Sequence, residues 1–393
     1  MCGHFYRYYT HMLSRSIGEK IKQSKKSILL LGPRQTGKST LLRSLKPDLI
    51  LNLANESEYL AHTSDPSLFL SLLENSKIKS VMVDEIQRIP SLLNSIQAYL
   101  DEHPGKQAIK FFLSCSSARK LRRGQANLLP GRIFSYQLGG LTAKELNYQL
   151  DLKKSLRFGV LPEPYFEESE EFCRKHLSTY AATYLREEIQ AEALTRNIQG
   201  FSRFLNAVAL VSGSVLDFSK VSTKAKVSRS SVIRFVEILE DTLIAERVPS
   251  FEDAESADVI KHPKLYFFDV GVLNGLLGNF ESSPDRMGAL FEQFIFNQLR
   301  NSAQALDLPL KVFFFRTRHG VEVDFILEHQ NKIWAIEIKS GQVSDADLKG
   351  LQAFRSYYPK VHQCMAVGIG EQRRFKDNIL ICDWVTMLKE LGL

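Results

Sequence analysis

The chain has 393 residues, 44% of them hydrophobic and 24% charged, a globular composition that excludes collagenous, fibrous and disordered classes. It is longer than the roughly 250–300 residues at which single cores stop growing, so two or three domains are expected. Lys and Arg number 51 against 44 Asp and Glu, and the net charge of +7 favours an anionic partner such as nucleic acid without requiring one.

In chain order, the first strong signal is the apolar run Ser27–Leu31, which reads as a buried parallel strand. It leads into Gly32-Pro33-Arg34-Gln35-Thr36-Gly37-Lys38-Ser39-Thr40 and then into the helically spaced Leu41, Leu42 and Leu45. This is G-x-x-x-x-G-K-S between a strand and a helix. Glycines let backbone N–H groups wrap phosphates, the lysine reaches the β- and γ-phosphates, and the hydroxyl serves Mg²⁺ at a positive helix N-terminus. Lys38 and Ser39 are expected in those two roles, with ATP and Mg²⁺ as ligands.

A second apolar run, Val81-Met82-Val83, ends in Asp84-Glu85. There a strand would deliver one carboxylate, Asp84, to the metal and a second, Glu85, to the attacking water. The adjacent pair favours hydrolysis over transfer of phosphate to a small molecule. Further strands are expected at 49–53, 108–114 and 132–138, most of them separated by helical stretches, which predicts a parallel sheet with helices on both faces. Ser114 ends its strand where a side chain could sense the γ-phosphate, with Ser116 and Ser117 as competitors and a helix cap as the plainer account. Arg132 is a candidate arginine finger acting within one subunit or on its neighbour, against a surface ion pair; the second mode would need a homo-oligomer. Arg119, Lys120, Arg122 and Arg123 form a basic cluster that could grip phosphates or simply be solvated.

Residues 146–250 read as mainly helical, with Tyr180, Tyr184, Leu185 and Ile189 spaced for one apolar face. Within them, 216–240 has the pattern of a helix-turn-helix. Phe218, Val221 and Ala225 would line a first helix, Val227-Ser228 the turn, and Val232, Phe235, Val236 and Leu239 a second. Arg229, Ser230 and Arg234 would then face a DNA major groove, although such hairpins also serve packing alone.

Towards the end, Val321-Glu322-Val323-Asp324-Phe325-Ile326-Leu327 places Glu322 and Asp324 on one strand face. A polar turn over 328–332 leads to Ile333-Trp334-Ala335-Ile336-Glu337-Ile338-Lys339, where Glu337 and Lys339 share a face. Two carboxylates on adjoining strands can hold Mg²⁺, and a neighbouring lysine can orient the water that attacks a phosphodiester. Asp324 and Glu337 are the candidate metal ligands and Lys339 the candidate catalytic lysine. Glu292, on a helix expected over 287–299, could add a third carboxylate. This is the D…E-x-K arrangement of restriction-type nucleases. Strands with such charges on a solvent face also occur for solubility alone. Lys264 to Gly271 reads as one more strand and turn, with Asp269 a candidate cap.

The 32–40 segment together with Val83-Asp84-Glu85-Ile86-Gln87 resembles the AAA-type ATPases of bacteria and archaea that carry a C-terminal domain of unknown function. Lys264-Leu265-Tyr266-Phe267-Phe268-Asp269, Leu290-Phe291-Glu292, Glu322-Val323-Asp324-Phe325 and Ile336-Glu337-Ile338-Lys339 are similar to that second domain, so the likeness spans nearly the whole chain. Ser39 stands where threonine is usual, and Ser114-Cys115-Ser116 replaces a more usual Thr-Gly-Ser. The resemblance implies an α/β P-loop ATPase domain over 1–145, a helical region with a winged helix over 146–254, and a restriction-nuclease-like α/β domain over 255–393.

Cys2, Cys115, Cys173, Cys364 and Cys382 are odd in number and form no C-x-x-C pair, which speaks for a reducing compartment. The run Ile28 to Leu31 falls far short of the ~20 apolar residues a membrane span needs. A cytoplasmic protein with no membrane partner is expected. The leading functional expectation is an ATPase whose nucleotide state controls DNA engagement, with Mg²⁺-dependent cleavage by the C-terminal domain. The alternative is an ATP-operated DNA- or protein-binding switch that does not cut.

Overall fold

A computed structural model describes residues 13–74, 77–103, 105, 108–117, 129, 131–184, 198–252 and 258–393. The basic cluster Arg119, Lys120, Arg122 and Arg123, and Leu185 and Ile189 of the expected apolar face, lie outside them. Contacts divide the chain into a unit of 1–139 with 241–244 and a unit of 140–240 with 245–393. None of the described helices is long and apolar enough to cross a membrane.

In the first unit the chain runs α1 (Ile17–Gln23), β1 (Ser27–Leu31), α2 (Lys38–Ser44), β2 (Leu49–Asn52), α3 (Glu56–Ser64), α4 (Ser67–Leu73), β3 (Ser80–Asp84), α5 (Leu92–Glu102), β4 (Lys110–Cys115) and β5 (Ile133–Gln137). The strands form one parallel sheet in the order β2-β3-β4-β1-β5. The three inner strands are buried on both faces, which is why their sequences are apolar runs instead of alternating ones. Leu29, Val81, Val83, Phe111 and Leu113 face one core with α4 and α5, while Ile28, Leu30, Met82 and Phe112 face another with α1 and α2. Helices therefore cover both faces, and the expected strands differ from the observed ones only at their ends.

The second unit opens with α6 (Leu152–Phe158), α7 (Pro162–Phe166), α8 (Glu170–Thr179), α9 (Ile198–Ala209), α10 (Phe218–Ala225) and α11 (Arg229–Asp241). The helix pair forms where the spacing predicts it. Asp217 caps α10 by accepting from Ser219 N and Lys220 N, and Lys226, at a left-handed φ of 53°, ends it. The region is not helical to 250, because β6 (Ala245–Val248) leaves the second helix and pairs antiparallel with β7 (Lys264–Phe267). Val215 adds an antiparallel bridge to Lys264 on that small sheet. Next comes α12 (Val270–Leu277), capped by Asp269 as expected, whose carboxylate accepts from Val272 N at 3.0 Å and Val160 N at 2.7 Å.

The long helix α13 (Pro284–Leu306) exceeds the expected 287–299 at both ends. It is followed by β8 (Leu310–Arg316), β9 (Glu322–His329), β10 (Lys332–Lys339), α14 (Lys349–Tyr357), β11 (Gln363–Gly368), β12 (Arg374–Lys376), β13 (Ile379–Cys382) and α15 (Trp384–Glu390). These strands form a mixed sheet in the order β12-β13-β11-β10-β9-β8. The turn expected over 328–332 is shorter: Gln330 and Asn331, at φ 51° and 58°, make a two-residue hairpin, and His329 pairs with Lys332. Two central residues at positive φ match the strand twist, so the ladder continues to the turn itself.

Candidate functional sites

The chain leaves β1 at Gly32, where an added Cβ would lie 2.2 Å from the Leu138 carbonyl oxygen, so only glycine fits. Gln35 and Gly37 take left-handed φ values of 63° and 91°, and such alternation turns successive N–H groups towards a common anion. Thr36 donates its hydroxyl to Pro33 O at 2.9 Å, and buried Arg15 braces the loop through Thr36 O at 2.7 Å and Gly139 O at 3.0 Å. Pro33 is buried, Arg34 half-buried and Thr40 exposed on the first turn of α2. Lys38 is buried and donates to Gly32 O and Pro33 O, each at 2.8 Å. Burial lowers its pKa, while Glu85 and Asp84 oppose the shift.

Ser39, on the first turn of α2, donates to Asp84 Oδ1 at 2.7 Å, and Ser114 donates to the same oxygen. Arg43 lies 3.7 Å from Asp84 Oδ2. Ser114 sits inside β4, which removes the helix-cap account, and accepts from Glu85 N at 2.9 Å. Glu85 itself stands at a left-handed φ of 58°, an outlier for a residue with a Cβ. Its carboxylate accepts from Ser116 Oγ at 3.0 Å and from Gln87 Nε2, which also bonds Ser116 at 2.7 Å. A hydroxyl and a carboxylate on neighbouring elements are hard oxygen donors of the kind Mg²⁺ takes. Arg132 forms an ion pair with Asp101, with Nη2 2.9 Å from Oδ2, both partly exposed.

In the second unit α13 brings Glu292, β9 brings Glu322 and Asp324, and β10 brings Glu337 and Lys339 into one cluster. Asp324 accepts from Ile338 N at 2.8 Å, and Lys339 donates to Glu337 Oε1 at 2.6 Å. Among the described residues, Glu337 Oε2 is buried with no hydrogen-bond partner. Burial, followed by the charges of Glu292 and Glu337, holds the Asp324 carboxyl well above the usual range, and burial also raises that of Glu337.

Two members of this cluster were not anticipated. Lys264, from β7, lies 3.1 Å from Glu292, 3.2 Å from Glu322 and 3.9 Å from Asp324, and Tyr266 donates its hydroxyl to Glu292. Burial works against the Lys264 charge, but Glu292, Asp324 and Glu322 more than offset it and keep the ammonium protonated. The sequence places Lys264 and Tyr266 on one face of a strand, but nothing in that spacing marks the lysine for burial among carboxylates. Among the described residues no group of three or more His, Cys, Asp or Glu side chains is placed to hold a metal ion, and the carboxylate of Asp324 instead lies 3.9 Å from the Lys264 ammonium.

Residues 24–147 match the AAA domain family, and 149–283 and 287–387 match two distinct domains of unknown function. An uncharacterized protein of Mycobacterium tuberculosis and one of Mycobacterium bovis are each 27% identical over 320 residues, 79% of this chain and 70% of theirs. Among solved structures, the replication initiator DnaA bound to AMPPCP and single-stranded DNA shows 13% identity and a TM-score of 0.29, over 57% of this chain and 85% of that one. A RuvB variant of Thermotoga maritima shows 14% identity and a TM-score of 0.26, over 63% and 89%. Scores this low establish neither fold nor function. The AAA match makes the chain an ATP-hydrolysing enzyme whose P-loop domain is followed by two domains of unknown function.

Proposed function

We propose that the nucleotide state of the P-loop domain controls how the protein engages DNA. The domains are taken as 1–145, 146–254 and 255–393. The observation that carries the nucleotide half is the hydrogen bond from Ser39 to Asp84 at 2.7 Å, next to a P-loop whose lysine caps two loop carbonyls. In the working site, Lys38 would exchange those carbonyls for phosphate oxygens, the N–H groups of 32–40 would cradle the phosphates, and Ser39 and Asp84 would hold Mg²⁺. Bound there, Mg²⁺ would neutralise charge on the β- and γ-phosphates. Glu85 would orient the attacking water once freed from Gln87 and Ser116, and Ser114 would transmit the position of Asp84 to the Glu85 backbone. Arg132 would serve as a finger only after leaving Asp101, in a homo-oligomer.

The DNA half is supported by the order α9, Val215 bridge, α10, α11, β6, β7, which would suit a winged helix. Lys220, Lys224, Lys226, Arg229, Ser230 and Arg234 are exposed on its helix pair, a basic surface suited to a phosphate backbone. Such a protein would work in the cytoplasm.

For the C-terminal domain, Asp324, Glu337 and Lys339 on adjacent strands, with Glu292 on a facing helix, support a restriction-nuclease-like fold. The Lys264 ammonium among those carboxylates favours the second expectation, a switch that does not cut in this arrangement. Incubating the protein with Mg²⁺ and linear, branched and single-stranded DNA, with and without ATP, tests both. Cleavage that depends on ATP and is lost in Glu337→Ala would establish a controlled nuclease. Intact ATP hydrolysis without cleavage would establish the switch.

A further inference from the structure

Lys264 is 3% exposed at its side chain, yet it carries a charge at the point nearest Glu292, Glu322 and Asp324. A buried ammonium is tolerated only when paired, because an isolated charge in the interior costs several kcal/mol or more. Here the carboxylates of Glu292, Glu322 and Asp324 share one ammonium, Arg316 reaching only Glu322 at 3.6 Å, with the Phe314 ring 5.6 Å from Nζ and the Oε2 of Glu337, unpartnered among the described residues, in the same cluster. The cluster thus attracts cations, and the cation it already holds belongs to the chain.

We propose that Lys264 is the resident cation of this cluster and excludes divalent metal from Glu292, Glu322 and Asp324 while its ammonium is seated. This rests on taking the carboxylates as a cation site, and neither on ATP turnover nor on DNA binding. The backbone of Lys264 pairs with Val248 and Val215, which flank the α10–α11 helix pair. The strand that delivers the ammonium is therefore the strand that supports the exposed basic helices, and a load on those helices has a direct route to it.

The test is Mn²⁺ binding to the nucleotide-free full-length protein, read from the electron paramagnetic resonance signal of free Mn²⁺, with thermal melts to check folding. The set is wild type, Asp324→Asn, Lys264→Met, Lys264→Arg and the Lys264→Met/Asp324→Asn pair. Lys264→Met should gain a site at least about tenfold tighter than any in wild type, since Glu292 and Asp324 then lose their ion-pair partner while Glu322 keeps only Arg316. Lys264→Arg should gain none, and Asp324→Asn in the Met background should remove the gain. Wild type that already binds Mn²⁺ at a site lost in Asp324→Asn would overturn the proposal, whether or not Lys264→Met folds. A folded Lys264→Met with no Asp324-dependent site would overturn the assignment of the carboxylates as a cation site, and the proposal with it.

Discussion

The Ser39 hydroxyl donates to Asp84 at 2.7 Å, joining the first turn of one helix to the end of a strand 45 residues further along the chain. The two oxygens are thereby set side by side before any ligand arrives, which is the preorganisation that ATP chemistry requires.

If both groups serve one ion, as proposed, their losses should not add. Ser39→Ala and Asp84→Asn should each lower kcat for Mg-ATP hydrolysis about 100-fold, the scale set by losing one group aimed at transition-state charge. The double variant should be little worse than either. Phosphate-release assays check this, and strictly additive losses would show that the two residues act separately.

Gly32 packs against a backbone oxygen, which cannot swing aside as a side chain can. An alanine Cβ would lie 2.2 Å from Leu138 O, so Gly32→Ala should cost at least about 2 kcal/mol of stability through overpacking and distort the loop. Urea unfolding together with nucleotide affinity measures both effects; an unchanged midpoint would contradict the close approach.

The positions of that glycine, Lys38 and Ser39 after β1, and of the Asp84-Glu85 pair at the end of β3, were legible because they are fixed locally. A loop of fixed length follows a strand, and an acidic pair ends the next apolar run, so spacing alone locates them. The tether of Glu85 by Gln87 and Ser116 was not legible, since it depends on how far β4 extends beside β3. Nor was the placement of Lys264. Its partners lie 28, 58 and 60 residues away on other elements, and a lone lysine opening a strand carries no signal that it will be buried. The strands β8 and β11 to β13 were also missed. Being short or lacking a turn signal of their own, they take their place from tertiary packing, as Phe315, Cys364, Ala366, Ile379 and Ile381 do in one core with Leu351 and Phe354, and from pairing, as exposed β12 does along β13.

Asp269 is wholly buried at the start of α12, beside Gly159 at a φ of 71°, and burial pushes its carboxyl from 3.8 up to about 6. The folded value exceeds the unfolded one, so its contribution to stability is fully present below about pH 4 and is lost as pH rises through about 6, by about 3 kcal/mol. Asp269→Asn has no charge to bury. The difference in unfolding free energy between variant and wild type should therefore move in favour of the variant between about pH 4 and pH 7. Denaturant melts at the two pH values check this, and an equal difference at both would contradict it.

Arg229 and Arg234 lie exposed on α11. If they contact DNA phosphates, replacing either with alanine should weaken duplex binding across sequences and lower the slope of log affinity against log salt by about 1. Fluorescence anisotropy at several salt concentrations measures the slope, and an unchanged slope would place the DNA elsewhere or nowhere.

The central claim is that nucleotide state controls DNA engagement, and the most direct test compares duplex affinity in the apo, ADP and ATP states. Glu85→Gln would hold the ATP state, and Lys38→Ala would serve as the nucleotide-blind control. Affinity should differ by about tenfold or more between the ATP and apo states, a coupling of about 1.4 kcal/mol, and Lys38→Ala should show no difference. Equal affinity in all three states, or a Lys38→Ala response matching wild type, would contradict the account.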